Sequence, residues 1–162
     1  ALWTAGEAHG IQDYGSFAMN SLRMEKAFKG AGELTNEVTL AEADVLRFAR
    51  NENDYIGKDK TLNTDDMRWV CAYLEIEPDG IEDGHGGEPI MVDGKVMGST
   101  ASVAYGHTVG KILAFAYVRP EINVAGTEVS VLIACKPRAA RILGDAAYDP
   151  TSALPRTDIA AE

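Results

Sequence analysis

The chain has 162 residues, of which 46% are hydrophobic and 25% charged. That apolar content excludes a mainly disordered chain, and the length suits one domain or two small ones. Fifteen basic against 25 acidic residues give a net charge of −10, which argues against a general binder of nucleic-acid phosphates. No run of about 18 uninterrupted apolar residues is present to cross a membrane as a helix.

The chain opens Ala1-Leu2-Trp3, without an initiator Met or a leader-like segment, and reads as a piece of a longer protein. Residues 2–13 are rich in helix formers. The segment 17–29 has no β-branched residue and is built mainly from Ala, Met, Leu, Arg, Glu and Lys, which predicts a helix. Ser16 is its expected N-cap, and Gly30 and Gly32 are expected stops. A strand reading, from the alternation of Phe17, Met19 and Ser21, ranks second. Thr39 followed by Glu42 has the spacing of a capping box and predicts a helix through Phe48. A short helix is expected from Gly57 to Leu62.

After residue 67 the pattern changes. Apolar, β-branched runs recur at 69–76, 89–92, 95–104, 111–118, 127–134 and 138–143, separated by turn residues. Asp93-Gly94 between two such runs is a two-residue hairpin signal. Short strands with glycine-rich turns predict an antiparallel sandwich or barrel. The expected layout is α+β: a mixed helical and strand part over 1–66, a barrel-like part over 67–150, and a frayed tail over 151–162. Cys71 and Cys135 both sit in apolar runs, so both are expected to be buried and reduced, which fits a cytoplasmic protein.

Several patterns that carry chemistry elsewhere fail on inspection. Gly106-His-Thr-Val-Gly110-Lys111 has three residues between its glycines and Ile112 after the lysine. A phosphate loop needs four, then Ser or Thr, then a helix, so a tight turn between strands is expected. From Asp79 to Glu88 a glycine-rich loop gathers carboxylates, but Ile81 and Ile90 fall where an EF-hand needs oxygen ligands. His9, His85 and His107 show no metal-ligand spacing. No GxSxG nucleophile elbow is present. Glu25 in a helix would face Lys29 four residues on, a surface pair worth about 0.2–0.5 kcal/mol.

Three stretches change the weight on Glu25. They are Ser21-Leu-Arg-Met-Glu25-Lys, then Glu33-Leu-Thr-Asn-Glu-Val-Thr39-Leu-Ala-Glu-Ala-Asp44, then Asp54-Tyr-Ile-Gly-Lys58. In order and spacing they resemble the aminomethyltransferase family, the glycine-cleavage T-protein. Asp93-Gly-Lys-Val-Met-Gly-Ser-Thr and Tyr105-Gly-His-Thr-Val-Gly-Lys111 resemble its C-terminal barrel. The details lie closer to the versions fused into dimethylglycine and sarcosine dehydrogenases. Met19-Asn20 stands where the free T-protein has Arg-Asp, and Leu40 and Asp44 replace a Pro and a Gly of its second motif.

The resemblance implies a tetrahydrofolate site in which Glu25 contacts the pterin, whose edge offers the adjacent N–H donors that a carboxylate accepts. It further implies that Arg50 or Lys58 meets the glutamate tail of folate and that Tyr148 lies beside the site. The family's catalytic aspartate belongs to a half-domain outside this sequence, so the chain alone is expected to be inactive. FAD is expected only in an upstream domain. The implied parent is an oxidoreductase acting on CH–NH groups, with folate, a methylamine-type substrate and its own upstream domain as partners, and neither nucleic acid nor membrane. The alternatives are part of a free aminomethyltransferase, served by a lipoyl carrier protein, or a purely structural cap.

Overall fold

The computed structural model describes residues 1–49, 52–79 and 84–157. Arg50 and residues 80–83 of the acidic loop lie outside the described residues. Helical elements come first: α1 (Leu2–Gly6), a 3₁₀ turn (Glu7–His9), α2 (Ser16–Glu25), a 3₁₀ turn (Leu46–Phe48) and α3 (Lys58–Leu62). Six strands follow: β1 (Val70–Ile76), β2 (Pro89–Val92), β3 (Lys95–Gly106), β4 (Lys111–Val118), β5 (Glu128–Ile133) and β6 (Lys136–Leu143). They close into an antiparallel barrel in the order β1-β4-β3-β2-β5-β6, with β6 returning to β1.

Strand periodicity builds two cores at once. Along β1, Val70, Ala72, Leu74 and Ile76 point into the barrel; along β4, Ile112, Ala114, Ala116 and Val118 do the same. The alternate residues Cys71, Tyr73, Leu113 and Phe115 face outward and are still buried, because Met24 of α2 packs on them. Hence β4 is an almost unbroken apolar run rather than an alternating one. Met24 is fully buried, and burying a methionine side chain stabilises by about 1.5–3 kcal/mol.

Turns set the register. Asp93 and Gly94 have φ of 49° and 74° and join Val92 to Lys95, the backbone of a type I′ hairpin. Ala134 and Cys135, with φ of 49° and 62°, join Ile133 to Lys136 in the same way. Cys135 therefore sits at a hairpin tip and is exposed, against the expectation of burial; Cys71 is buried, and both thiols are free.

The helical part departs from the sequence reading at its ends. The first helix is only α1 and the 3₁₀ turn after it, closed by Gly10 at φ 67°. Gly15, not Ser16, holds the N-cap position of α2, with no side-chain cap. The same helix stops at Glu25 rather than 29. Ala27 turns to φ 52°, while its N–H donates to the Met24 carbonyl and that of Phe28 to the Arg23 carbonyl. This is a Schellman closure, with alanine where glycine is usual. The Thr39–Glu42 box forms: each backbone N–H donates to the other's side chain, at 3.0 and 3.1 Å. It caps a single turn, because Asp44 takes φ 53° and Val45 N–H closes on the Leu40 carbonyl at 2.9 Å. Residues 151–157, expected to fray, include a 3₁₀ turn over Leu154–Arg156.

Candidate functional site

Helix α2 is bolted across β3. The Ser21 hydroxyl donates to the Tyr105 carbonyl at 2.6 Å, and the Asn20 amide to the Val103 carbonyl at 3.2 Å. Arg23 donates to Asn20 at 2.8 Å and to the buried Glu33 at 3.0 Å. At the helix C-terminus, the Tyr73 hydroxyl donates to the Met24 carbonyl at 2.7 Å, and burial pushes that phenol up to about 12. The backbone N–H of Tyr148 donates to the Glu25 carbonyl at 3.0 Å. Lys26 reaches the carbonyl of Asp149 at 2.6 Å and its carboxylate at 3.2 Å. The segment after β6 is thus strapped over the end of α2.

These ties fix Glu25. The residue is 3% exposed. One oxygen accepts the backbone N–H of Thr108 at 2.6 Å and the other the Thr108 hydroxyl at 2.8 Å. Thr108 lies in the turn between β3 and β4, where the Gly110 N–H closes on the Gly106 carbonyl at 2.8 Å. A Cβ on Gly106 would stand 2.8 Å from Leu113 and 3.2 Å from the Glu25 side chain, so glycine is what lets helix and turn approach. The glycine-flanked motif is a tight turn, as expected, and its work is to hold this carboxylate. Glu25 makes no pair with Lys29, because the helix has ended; Lys29 instead reaches Asp44 at 2.8 Å.

Beside Glu25 lies a cleft of about 570 Å³, walled by Phe17, Ser21 and Leu22 of α2 and by Tyr105 and His107. The rings of Tyr105 and His107 meet edge to face with centroids 5.0 Å apart. Sequence reasoning missed these wall residues, since only the crossing of α2 over β3 brings them together. Of the expected site residues, Glu25 lines the cleft. Tyr148 touches Glu25 through its backbone and does not line it. Lys58, at the start of α3, does not line it either, and Arg50 is outside the described residues. A second concavity of about 580 Å³ is lined by Lys26, Lys29, Cys71 and Phe115, but both lysines are already paired. Burial pushes the Cys71 thiol up to about 12, with Lys29 acting in the opposite direction. Among the described residues no group of three His, Cys, Asp or Glu side chains could hold a metal.

A closed six-stranded antiparallel barrel with a helix laid across two of its strands is the class that this geometry defines. Residues 70–149 match the family described as the glycine cleavage T-protein C-terminal barrel domain, and the barrel of this chain belongs to it. Dimethylglycine dehydrogenase, mitochondrial, from Mus musculus is 35% identical over 147 residues, covering 88% of this chain and 17% of the relative. The 4-methylaminobutanoate oxidase (formaldehyde-forming) of Paenarthrobacter nicotinovorans is 31% identical, covering 93% and 19%. A probable aminomethyltransferase of Thermococcus kodakarensis is 28% identical, covering 90% and 39%. The crystal structure of glycine cleavage system aminomethyltransferase T from Bartonella henselae superposes with a TM-score of 0.68 at 20% identity, over 78% of this chain and 37% of that one; this last likeness speaks for the fold. The chain thus spans under a fifth of the length of the dehydrogenase and of the oxidase. No helix among the described residues is long and apolar enough to cross a membrane.

Proposed function

We propose that this chain is the tetrahydrofolate-binding C-terminal portion of a longer, flavin-dependent enzyme resembling dimethylglycine or sarcosine dehydrogenase. Its task is to capture the one-carbon unit released by N-demethylation as methylenetetrahydrofolate. The observation that carries this reading is Glu25: a buried carboxylate, fixed by Thr108, at the wall of a partly apolar cleft. A carboxylate offers about four lone-pair directions, and Thr108 takes two. The remaining ones suit the neighbouring N–H donors of a pterin edge, while Phe17, Tyr105 and His107 suit its flat rings. The cleft volume is in the range of small-molecule sites. When bound, folate supplies the nitrogen nucleophiles that take up the one-carbon unit. The chain's own residues bind and orient it and exclude water.

The names of the relatives support the substrate class, since dimethylglycine and 4-methylaminobutanoate are both N-methyl amino acids. Lys58, Arg50 and Tyr148 stay in the proposal as residues that meet folate in the complete enzyme. FAD, in this reading, sits in an upstream domain, and residues 1–66 complete a folate domain with upstream residues. We place the enzyme in the cytoplasm, which suits its free thiols; the mouse and human relatives are mitochondrial by name. A free aminomethyltransferase is the second reading, favoured by the Thermococcus relative.

The test is a titration of tetrahydrofolate against the full-length parent and its Glu25→Gln variant, with formaldehyde release measured in parallel. A lost charge-assisted hydrogen bond of roughly 1.5–3 kcal/mol weakens binding by about tenfold to a hundredfold. Amine oxidation should be nearly unchanged while free formaldehyde rises. Equal affinity in the two proteins would remove Glu25 from the folate site, and a parent that binds no tetrahydrofolate would sink the folate reading.

A further inference from the structure

We propose that His107 carries protons between tetrahydrofolate and the departing amine while the one-carbon unit is captured. This role rests on the folate reading of the cleft and adds a catalytic residue to it. Gripping a ligand and moving its protons are different tasks. Glu25, the carboxylate that lines the cleft, is held by both donors of Thr108 and serves the first. Histidine is the side chain that both accepts and donates a proton near neutral pH, and His85 and His107 both line the cleft. Tyr105 is the remaining titratable side chain there; among the described residues no lysine, arginine or cysteine lines it.

His107 is the better placed of the two histidines. It immediately precedes Thr108, so one short turn holds both the anchor of Glu25 and the imidazole. That turn is closed by the Gly110 N–H on the Gly106 carbonyl at 2.8 Å. The Tyr105 ring meets the imidazole edge to face, with centroids 5.0 Å apart, which limits the tilt of the ring. The residue is exposed, and among the described residues its ring nitrogens have no hydrogen bond or ion pair. An imidazole braced by a ring contact, with both nitrogens free, is set to trade protons with a ligand. His85 belongs to a different loop, ahead of β2, where its backbone N–H is tied to Glu88 at 2.6 Å.

The chemistry needs such a group. Consider the one-carbon unit as an iminium, a CH2 doubly bonded to the cationic amine nitrogen. Capture forms two bonds from that carbon to folate nitrogens and breaks both of its bonds to the amine nitrogen. The two protons lost from the folate nitrogens end on the amine, which leaves as an ammonium, and nothing is oxidised or reduced. His107 accepts a proton from a folate N–H and returns it to the amine nitrogen, ending as it began. Transfer of this kind contributes about 10²–10⁴-fold in rate.

The full-length parent, with tetrahydrofolate as the probe, tests this in two ways. Diethyl pyrocarbonate modifies exposed neutral imidazoles, and peptide mass spectrometry reads each histidine separately. At tetrahydrofolate about ten times its Kd roughly one site in eleven is free, so modification of His107 should slow by about tenfold. In single turnovers, His107→Gln should slow methylenetetrahydrofolate formation by at least about a hundredfold and abolish its fall toward acid pH. Affinity for tetrahydrofolate should stay within about threefold, because no charge-assisted hydrogen bond is lost. With tetrahydrofolate still bound, His107 modification that it does not slow, or an acid fall that survives His107→Gln or vanishes in His85→Gln instead, would overturn the assignment and leave the folate reading standing. A parent that binds no tetrahydrofolate would overturn both.

Discussion

Glu25→Gln is the substitution whose cost the structure allows us to work out. The carboxylate accepts two hydrogen bonds from Thr108, at 2.6 and 2.8 Å, and Glu25 as a residue is buried. Hydrogen bonds to a charged group contribute about 1.5–3 kcal/mol and neutral ones about 0.5–1.5. Glutamine keeps the shape: its oxygen can accept the Thr108 N–H, and its amide can donate to the hydroxyl oxygen. Two charge-assisted bonds become neutral ones, and the relief of a buried charge offsets part of the loss. A net cost of about 1–2 kcal/mol follows, a fall of about 2–8 °C in melting temperature for a chain of this size. A carboxylate on an open helix surface would lose only a few tenths of a kcal/mol. Thermal unfolding of wild type, Glu25→Gln, Thr108→Val and the double variant gives the coupling directly. We expect about 0.5–1.5 kcal/mol of interaction energy, within the range for residues in contact. Additive effects would show that the Thr108 hydroxyl does not hold the carboxylate, and an unchanged melting temperature for Glu25→Gln would show that neither Thr108 bond does.

Three further outcomes are expected. Burial alone would raise the carboxyl pKa of Glu88, but the Thr100 hydroxyl and the N–H groups of His85 and Gly86 bring it below its ordinary 4.5. The stability it contributes is complete above that value and is lost as pH falls through the lowered folded pKa; urea midpoints should therefore drop below about pH 4.5, and Thr100→Val should make that drop smaller, because it brings the folded pKa back toward the unfolded one. A thiol reagent should label Cys135 at once in the native chain and Cys71 only on unfolding, counted by intact mass; two rapid labels would contradict the burial of Cys71. Ala27→Gly should stabilise by about 0.4–1 kcal/mol, because alanine is held at φ 52° where glycine meets no steric penalty; a lower urea midpoint would count against the Schellman closure.

The barrel was legible because every strand but β5 states itself twice, by apolar content and by the turn residues that follow. The runs at 89–92 and 111–118 coincide with β2 and β4, and Asp93-Gly94 is the hairpin tip. The helical part was less legible for an identifiable reason: its stops are written in alanine and aspartate. Ala27 and Asp44 take left-handed backbone without the glycine that would announce it, so two helices read longer than they are. Cys135 was misread for the same reason, as a central residue of a hairpin turn without glycine. At the site, the motif that singled out Glu25 says nothing of Thr108, eighty-three residues on. That partner depends on how α2 lies across β3, which no local pattern encodes.

Barrel closure has a consequence for where such a unit can be carried. An open sheet ends in strands whose free N–H and C=O groups invite any extended segment to add on, and a chain bearing one must shield those rims. Here β6 returns to β1, so the sheet has no rim to shield. Such a unit can be joined to very different neighbours through its outer surface alone, with no new strand pairing to arrange. That is compatible with finding its like in polypeptides where the shared region is 39% of the length and in others where it is 17%.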